Sequence, residues 1–325
     1  MRKDGVKFAC LCLDCFAGTE AQALQEALPG DFWVERPWRG FDLSTWAREI
    51  GTWRLAEVTG AEVFVWVTVE SSRLDVQDGE NETLANRLHT YWKGLQLSWP
   101  CTPRSAWILT GSLKRESPDV SSLISLLPTF DKAPALALSP AVLRLAAETA
   151  INLEAAFGAG SLQGRLERGV TSFLSGMGSR FVDETILAFE RTIEGIVHPS
   201  DRKQFVNRCA RLLRLGVSHN AASVLEEIYS VRNAFTHALP VEAAFPGKTR
   251  SQARHRAQQL QALLYGFAAE ALRTILANKP LLEQFGGEGL GAFWGSVVEG
   301  KRSAPFVIDL QDDRWHFSED EMISA

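Results

Sequence analysis

The stretch Val63-Phe-Val-Trp-Val-Thr-Val69 constrains the fold more than any other part of this chain. Successive side chains of a strand point to opposite faces. Val63, Val65, Val67 and Val69 would take one face; Phe64, Trp66 and Thr68 would take the other. Both sets are bulky, so the strand requires cover on both sides and belongs inside a sheet. Partners for it are close by. Val6–Leu13 is a short apolar run rich in Val, Phe and Cys, and Ala106–Thr110 reads as a further strand. Thr52–Val58 and Glu62–Glu70, separated by Thr-Gly-Ala, read as a hairpin. Glu82–Trp99 places Leu84, Leu88, Trp92 and Leu95 at helical spacing. Residues 1–135 are therefore expected to form a mixed α/β sheet domain with at least two helices.

The pattern changes further along. Eight of the ten tryptophans precede residue 110. Pro118–Pro140 is rich in proline and serine and reads as a linker or as the edge of the sheet domain. Helical periodicity then predicts helices over 140–157, 162–196, 201–215, 219–239 and 250–277. Gly176 and Gly178 make the second of these either two helices or one kinked element. Pro240 ends the fourth, because proline disfavours helix at the residue before it. Leu260, Leu264, Phe267, Ala271 and Ile275 form a core-facing stripe on the fifth. The fold class expected is α+β: the sheet domain, an all-helical domain over 140–285, and an extension over 286–325 with a short strand at Pro305–Leu310 and an acidic tail.

Net charge is −5 but uneven. Lys+Arg minus Asp+Glu is 14 − 18 over 1–139, 17 − 13 over 140–285 and 3 − 8 over 286–325. A middle segment near +4 between acidic flanks suits a domain that meets phosphates, and ordinary variation in surface charge gives the same sum. No run approaches the roughly 18 apolar residues of a membrane helix. The start, Met-Arg-Lys-Asp-Gly, runs into a strand-like segment rather than a long apolar one. The expectation is a cytoplasmic chain with reduced thiols and no membrane contact. Cys10, Cys12 and Cys15 lack a second pair at ligand spacing and alternate within an apolar strand, so they read as buried thiols rather than metal ligands. Trp33, Trp38 and Trp46 suit packing better than base stacking.

The chemistry points to Tyr229-Ser-Val-Arg-Asn-Ala-Phe-Thr-His237. Histidine exchanges a proton near neutral pH. Arginine offers a fixed fork of donors to a phosphate. Asn233 can orient either one. RNA carries its own nucleophile, the 2′-hydroxyl, so Arg232 and His237 are a sufficient minimal set for cleavage without metal or cofactor, giving a 2′,3′-cyclic phosphate. Residues five apart on an ideal helix point about 140° from one another. Arg232 and His237 of one chain therefore converge only if the helix end unwinds, or if a two-fold dimer lets one motif complete another. Structural roles compete: a histidine at a helix C-terminus meets the macrodipole favourably, and Arg232 can pair with Glu190 or Glu226. His89, His198, His219, His255 and His316 have no partner motif.

Three stretches resemble the HEPN superfamily, and its Apea-like branch in particular. They are Arg180-Phe-Val-Asp-Glu-Thr-Ile-Leu-Ala-Phe-Glu190, Phe205-Val-Asn-Arg-Cys-Ala-Arg-Leu-Leu213, and Tyr229–His237 with its Arg, polar residue, spacer and His. The resemblance covers about residues 140–285. It implies a helical bundle that dimerises with two Arg/His motifs facing one another, and a metal-independent endoribonuclease in phage defence or growth arrest. It implies Arg232, Asn233 and His237 as the catalytic set. Glu190 would support that set by positioning Arg232, and Tyr229 as part of the core or dimer interface; Arg208 and Arg211 read either as contacts to RNA phosphates or as a solvated helix face. A homodimer or higher homo-oligomer follows, with a trigger or protein partner met through the N-terminal domain. The alternative is a non-catalytic HEPN module for binding or assembly. HEPN toxins paired with nucleotidyltransferases often carry a tyrosine two residues after the histidine; Leu239 stands there, so modification of that tyrosine is not available.

Overall fold

The structure is a computed structural model that describes residues 5–14, 24–36, 50–114, 117–132, 137–158, 160, 164–216, 220–286 and 289–310. The chain divides into two compact units, Met1–Thr129 with Leu136–Ala155, and Phe130–Ala135 with Ala156–Ala325. The fold is α+β. Among the described residues it comprises a six-stranded antiparallel sheet, a two-stranded parallel pair and ten α-helices.

In the first unit the strands are β1 (Val6–Asp14), β2 (Leu24–Leu28), β3 (Phe32–Arg36), β4 (Val63–Glu70), β5 (Ser105–Lys114) and β6 (Ser117–Ser125). Their order is β2-β3-β4-β1-β5-β6, every pairing antiparallel. The alternating strand is internal, and its two faces serve two cores. Val63, Val65 and Val67 pack with Ala9, Leu11 and Leu13 beneath α2 (Gly79–Ser98) and α3 (Pro140–Gly158). Phe64 and Trp66 pack with Phe8, Cys10 and Cys12 beneath α1 (Thr52–Thr59). Each fully buried Val or Phe here contributes roughly 1.5–3 kcal/mol. Cys10 and Cys12 are buried in this second core and are not joined in a disulfide; Cys15, Trp38 and Trp46 lie outside the described residues. Trp33 packs at the edge of the same core.

Two readings of this unit are corrected. Thr52–Thr59 is helix, not the first arm of a hairpin. Val58 and Leu55 face the core three residues apart while Trp53 is 69% exposed, a helical rather than alternating burial. Gly60 caps that helix instead of forming a hairpin turn. Most of Pro140–Gly158, as far as Ala155, clusters with the sheet unit, so the unit boundary falls after Ala155 and not before residue 140. Leu143, Ala146, Ala147 and Ala150 join the sheet's core, and Tyr91 Oη donates to the Leu143 carbonyl at 3.0 Å. The small residues let α2 and α3 approach closely: a Cβ on Gly94 would sit 2.4 Å from the Ala146 carbonyl oxygen. Pro118–Ser125, within the proline-rich stretch, is the edge strand β6.

The second unit is helical: α4 (Gly164–Gly178), α5 (Val182–Val197), α6 (Arg202–Leu212), α7 (Ala221–Thr236), α8 (Arg250–Leu276), α9 (Lys279–Gly286) and α10 (Leu290–Val298). The predicted long helix is two, broken at Ser179–Phe181. Thr192 of α5 donates to the Gly169 carbonyl of α4 at 3.0 Å, and Phe173, Phe189 and Tyr265 cluster with ring centroids 5.1–6.0 Å apart. The predicted helix over 201–215 stops at Leu212. Leu213–Leu215 is β7, which pairs in parallel with β8, Ile308–Leu310. The extension thus holds its expected strand and also a helix, α10, whose Trp294 is fully buried and donates to the Ile196 carbonyl at 3.2 Å. No helix of the described residues is long and apolar enough to cross a membrane.

Candidate functional site

The site is assembled from three helices. α5 has two carboxylates one turn apart, Glu190 and Glu194. α7 faces them with Tyr229, Arg232 and Asn233. α6 supports α7 through Phe205, whose ring lies 5.8 Å from that of Tyr229. The fit is periodic: Val224, Leu225, Ile228, Val231 and Ala234 form the buried stripe of α7, leaving Arg232 at its margin, 27% exposed.

Arg232 is held on several sides. Its Nε is 3.4 Å from Glu190 and its Nη2 is 3.6 Å from Glu194. Its Nη1 donates to Asn233 Oδ1 at 3.2 Å, and its guanidinium lies over the Tyr229 ring at 5.4 Å. Arg202 lies over the same ring at 5.8 Å and pairs with Glu226, so Glu226 is not the partner of Arg232. Glu190 is fully buried, and among the described residues neither of its oxygens accepts a hydrogen bond of ordinary geometry. Burial, and then the nearby Glu194, push its carboxyl up to about 8 against the pull of Arg232. Burial thus favours the protonated form of Glu190, which leaves Glu194 as the second acid beside Arg232. Cys209 is buried alongside; burial and the two glutamates raise its thiol, which makes it inert.

His237 is the residue on which α7 ends. It is exposed, and its ring makes no hydrogen bond or ion pair among the described residues. The chain turns there through a Schellman motif. Leu239 N–H donates to the Ala234 carbonyl at 2.8 Å and Ala238 N–H to that of Phe235 at 3.0 Å. This turn puts Ala238 at φ +53, where glycine is the usual occupant. The helix therefore does unwind at His237, three residues before Pro240. Arg232, Asn233, Tyr229 and Glu190 are brought together; no hydrogen bond or ion pair among the described residues joins the His237 ring to them.

The arginines of α6 divide. Arg208 is buried, and its Nη1 donates to the Val197 carbonyl at 2.9 Å and to that of His198, closing the end of α5. It is a structural cap and not a phosphate contact. Arg211 is exposed and reaches the Val298 carbonyl at 3.5 Å. His198 is in the left-handed region at φ +48, His255 lies 3.3 Å from Gln259, and His219 and His316 are outside the described residues. Sequence reasoning missed Glu194 and Arg202. The four-residue spacing of Glu190 and Glu194 was the available signal for the first. No family model matches this chain, and no curated protein and no solved structure matches it.

Proposed function

We propose that the helical unit is a HEPN-like, metal-independent endoribonuclease acting in phage defence or growth arrest. One observation carries the reading: a partly exposed guanidinium beside the buried Glu190 stands near the same helix end as an exposed histidine whose ring makes no hydrogen bond or ion pair among the described residues. Arg232 binds the phosphoryl oxygens of the scissile diester and stabilises the charge that gathers there. Glu190, Glu194, Asn233 and Tyr229 position it. His237 exchanges a proton with the 2′-hydroxyl or the leaving 5′-oxygen. Cleavage needs both proton transfers, and a two-fold dimer supplies a second histidine from a second copy. The sheet unit senses a trigger or restrains the nuclease. A non-catalytic binding or assembly module is the second reading. It is favoured by the close hold of two glutamates and Tyr229 on Arg232, which is how a structural arginine is also held.

The test is incubation of the purified chain with RNA in EDTA. Cleavage persists, the 3′ fragment carries a 5′-hydroxyl, and RNA with a 2′-deoxy substitution at the cut site resists. A demand for magnesium, or a 5′-phosphate on that fragment, means that water attacks under metal control and that Arg232 and His237 are not the catalytic pair. A solution mass equal to one chain of 35.9 kDa contradicts the dimer.

A further inference from the structure

Beside the end of α7 the helical unit has a cleft of about 400 Å³. Phe181, Phe235, Leu239 and Pro240 form its apolar wall, and Arg254 and Gln258 of α8 form its polar side. Phe181 is 61% exposed and Leu239 50%. Large apolar groups left open in a concave place mark recognition surfaces. The charged residues of the lining are not equivalent. Arg250 is 3.3 Å from Glu242 and is neutralised by it. Arg254 is exposed and has no ion pair or hydrogen bond among the described residues. With Asp183 counted, two arginines face two acids, so the cleft is close to neutral. That balance does not suit a long polyanion lying along it. It suits one uncharged ring system with a single anionic group at its edge.

We infer that the cleft is a base-recognition subsite for the nucleotide next to the scissile phosphodiester; the inference rests on the ribonuclease reading above. Chain continuity supports the placement. Phe235 lies between Arg232 and His237 in sequence, and Leu239 follows His237 by two residues. An RNA strand with one phosphate at Arg232 and His237 brings its neighbouring nucleoside to this wall. Unstacked bases of single-stranded RNA bind aromatic side chains, which Phe181 and Phe235 supply. Gln258 is exposed, and its amide can both donate to and accept from a base edge. Arg254 is free for the adjoining phosphate. A second copy of the chain fits less well, because interface centres are depleted of acidic residues and Asp183 and Glu242 line this cleft.

The experiment uses the full chain carrying His237→Ala, which binds without cutting, and a fluorescent single-stranded RNA of mixed sequence read by anisotropy. Adding Phe181→Ala or Arg254→Ala weakens binding about tenfold each, while Lys279→Ala on α9, outside the cleft, does not. Both cleft residues are exposed, so thermal melting stays that of the parent. In the otherwise wild-type chain the same two changes alter the base preference at mapped cut sites. Unchanged affinity and an unchanged cut pattern, with wild-type cleavage intact, overturn the subsite and leave the ribonuclease reading standing. A wild type that cuts no RNA in EDTA, with a His237→Ala chain that binds none, overturns both. A changed sedimentation mass for Phe181→Ala at unchanged RNA affinity assigns the cleft to a second copy and overturns the inference.

Discussion

Each unit buries a cluster of charge, and the two are built differently. In the sheet unit, Lys7 is fully enclosed, with Nζ 2.5 Å from Asp78 and 3.1 Å from Glu80. Ser71 donates to Glu80 at 2.7 Å, and the Glu80 N–H donates to Asp78 at 3.0 Å. The bond from Lys7 holds the Asp78 carboxyl below its ordinary range; for Glu80 the bond from Ser71 leads and that from Lys7 follows. Burial pulls the Lys7 ammonium down, yet its bonds to the two acids outweigh this and leave it above an ordinary lysine. In the helical unit one guanidinium faces two carboxylates at 3.4 and 3.6 Å, and among the described residues the buried one has no hydrogen bond. The first cluster is saturated: every charge has a short partner. The second is left incomplete at a site that water can reach. Saturated networks fix a fold, and incomplete ones leave a group able to exchange partners with a ligand.

Removing the cation from each cluster tests this contrast most strongly. Arg232→Met, Arg232→Lys and His237→Ala should each lower RNA cleavage at least about 100-fold. Arg232→Met should melt close to wild type near pH 7, since burial already favours the neutral form of Glu190. Lys7→Met should lower the melting temperature clearly and leave the chemistry of the helical unit alone. Equal losses of stability in Lys7→Met and Arg232→Met would erase the distinction.

A packing change confined to the sheet unit comes next in size. Gly94→Ala forces a methyl against the backbone of α3 and should cost about 1–3 kcal/mol in denaturant unfolding, with cleavage by the folded fraction unchanged. The pH response is the third check, and the clusters run in opposite directions. Glu190 has a raised folded pKa, so its contribution is full below the unfolded value of 4.5 and is lost as pH rises through about 8. Asp78 and Glu80 have lowered values, so theirs is present above the ordinary carboxylate range and is lost as pH falls through the folded values. Glu190→Gln should flatten the decline between about pH 4.5 and 8 only, and Asp78→Asn the acid one only, in melting temperatures measured from pH 3 to 9. The smallest effect is expected at the end of α7. Ala238→Gly relieves a left-handed alanine and should stabilise by about 1 kcal/mol; a loss of stability would mean that the Schellman turn does not set the position of His237.

Some of this was legible in the residues and some was not, for physical reasons. The two-faced strand β4 announced itself because alternation of Val with Phe and Trp has one solution, an internal strand. The stop before Pro240 was legible because proline acts locally. The helix α1 was not, since Thr52–Thr59 is short and its β-branched and aromatic residues favour strand; Leu55 and Val58 packing on the sheet overrode that preference. The allegiance of α3 was hidden because an apolar stripe says that a helix is buried and not what it is buried against. Arg232 and His237 were visible as residue types at a spacing. That Glu194 shares the guanidinium, that Arg208 spends its donors on the end of α5, and that Phe181 meets Phe235 in one cleft are tertiary facts. No local pattern encodes them.

The parallel pairing of Leu213–Leu215 with Ile308–Leu310 also bears on how the molecule is made. The two segments lie 95 residues apart (308 − 213 = 95), and α7, α8 and the cleft residues from Phe235 to Gln258 fall within the loop they close, while Phe181 and Asp183 of the cleft precede it. Synthesis is vectorial, at about 5–20 residues per second. β7 therefore leaves the ribosome several seconds before its partner exists. During that interval Arg232 and His237 have been translated while the strand that ties down the start of their segment has not. A nascent chain that has reached only Val307 carries every residue of the proposed nuclease site while the strand that clasps the start of their segment is still missing, so the pairing of β8 is the step that closes that segment.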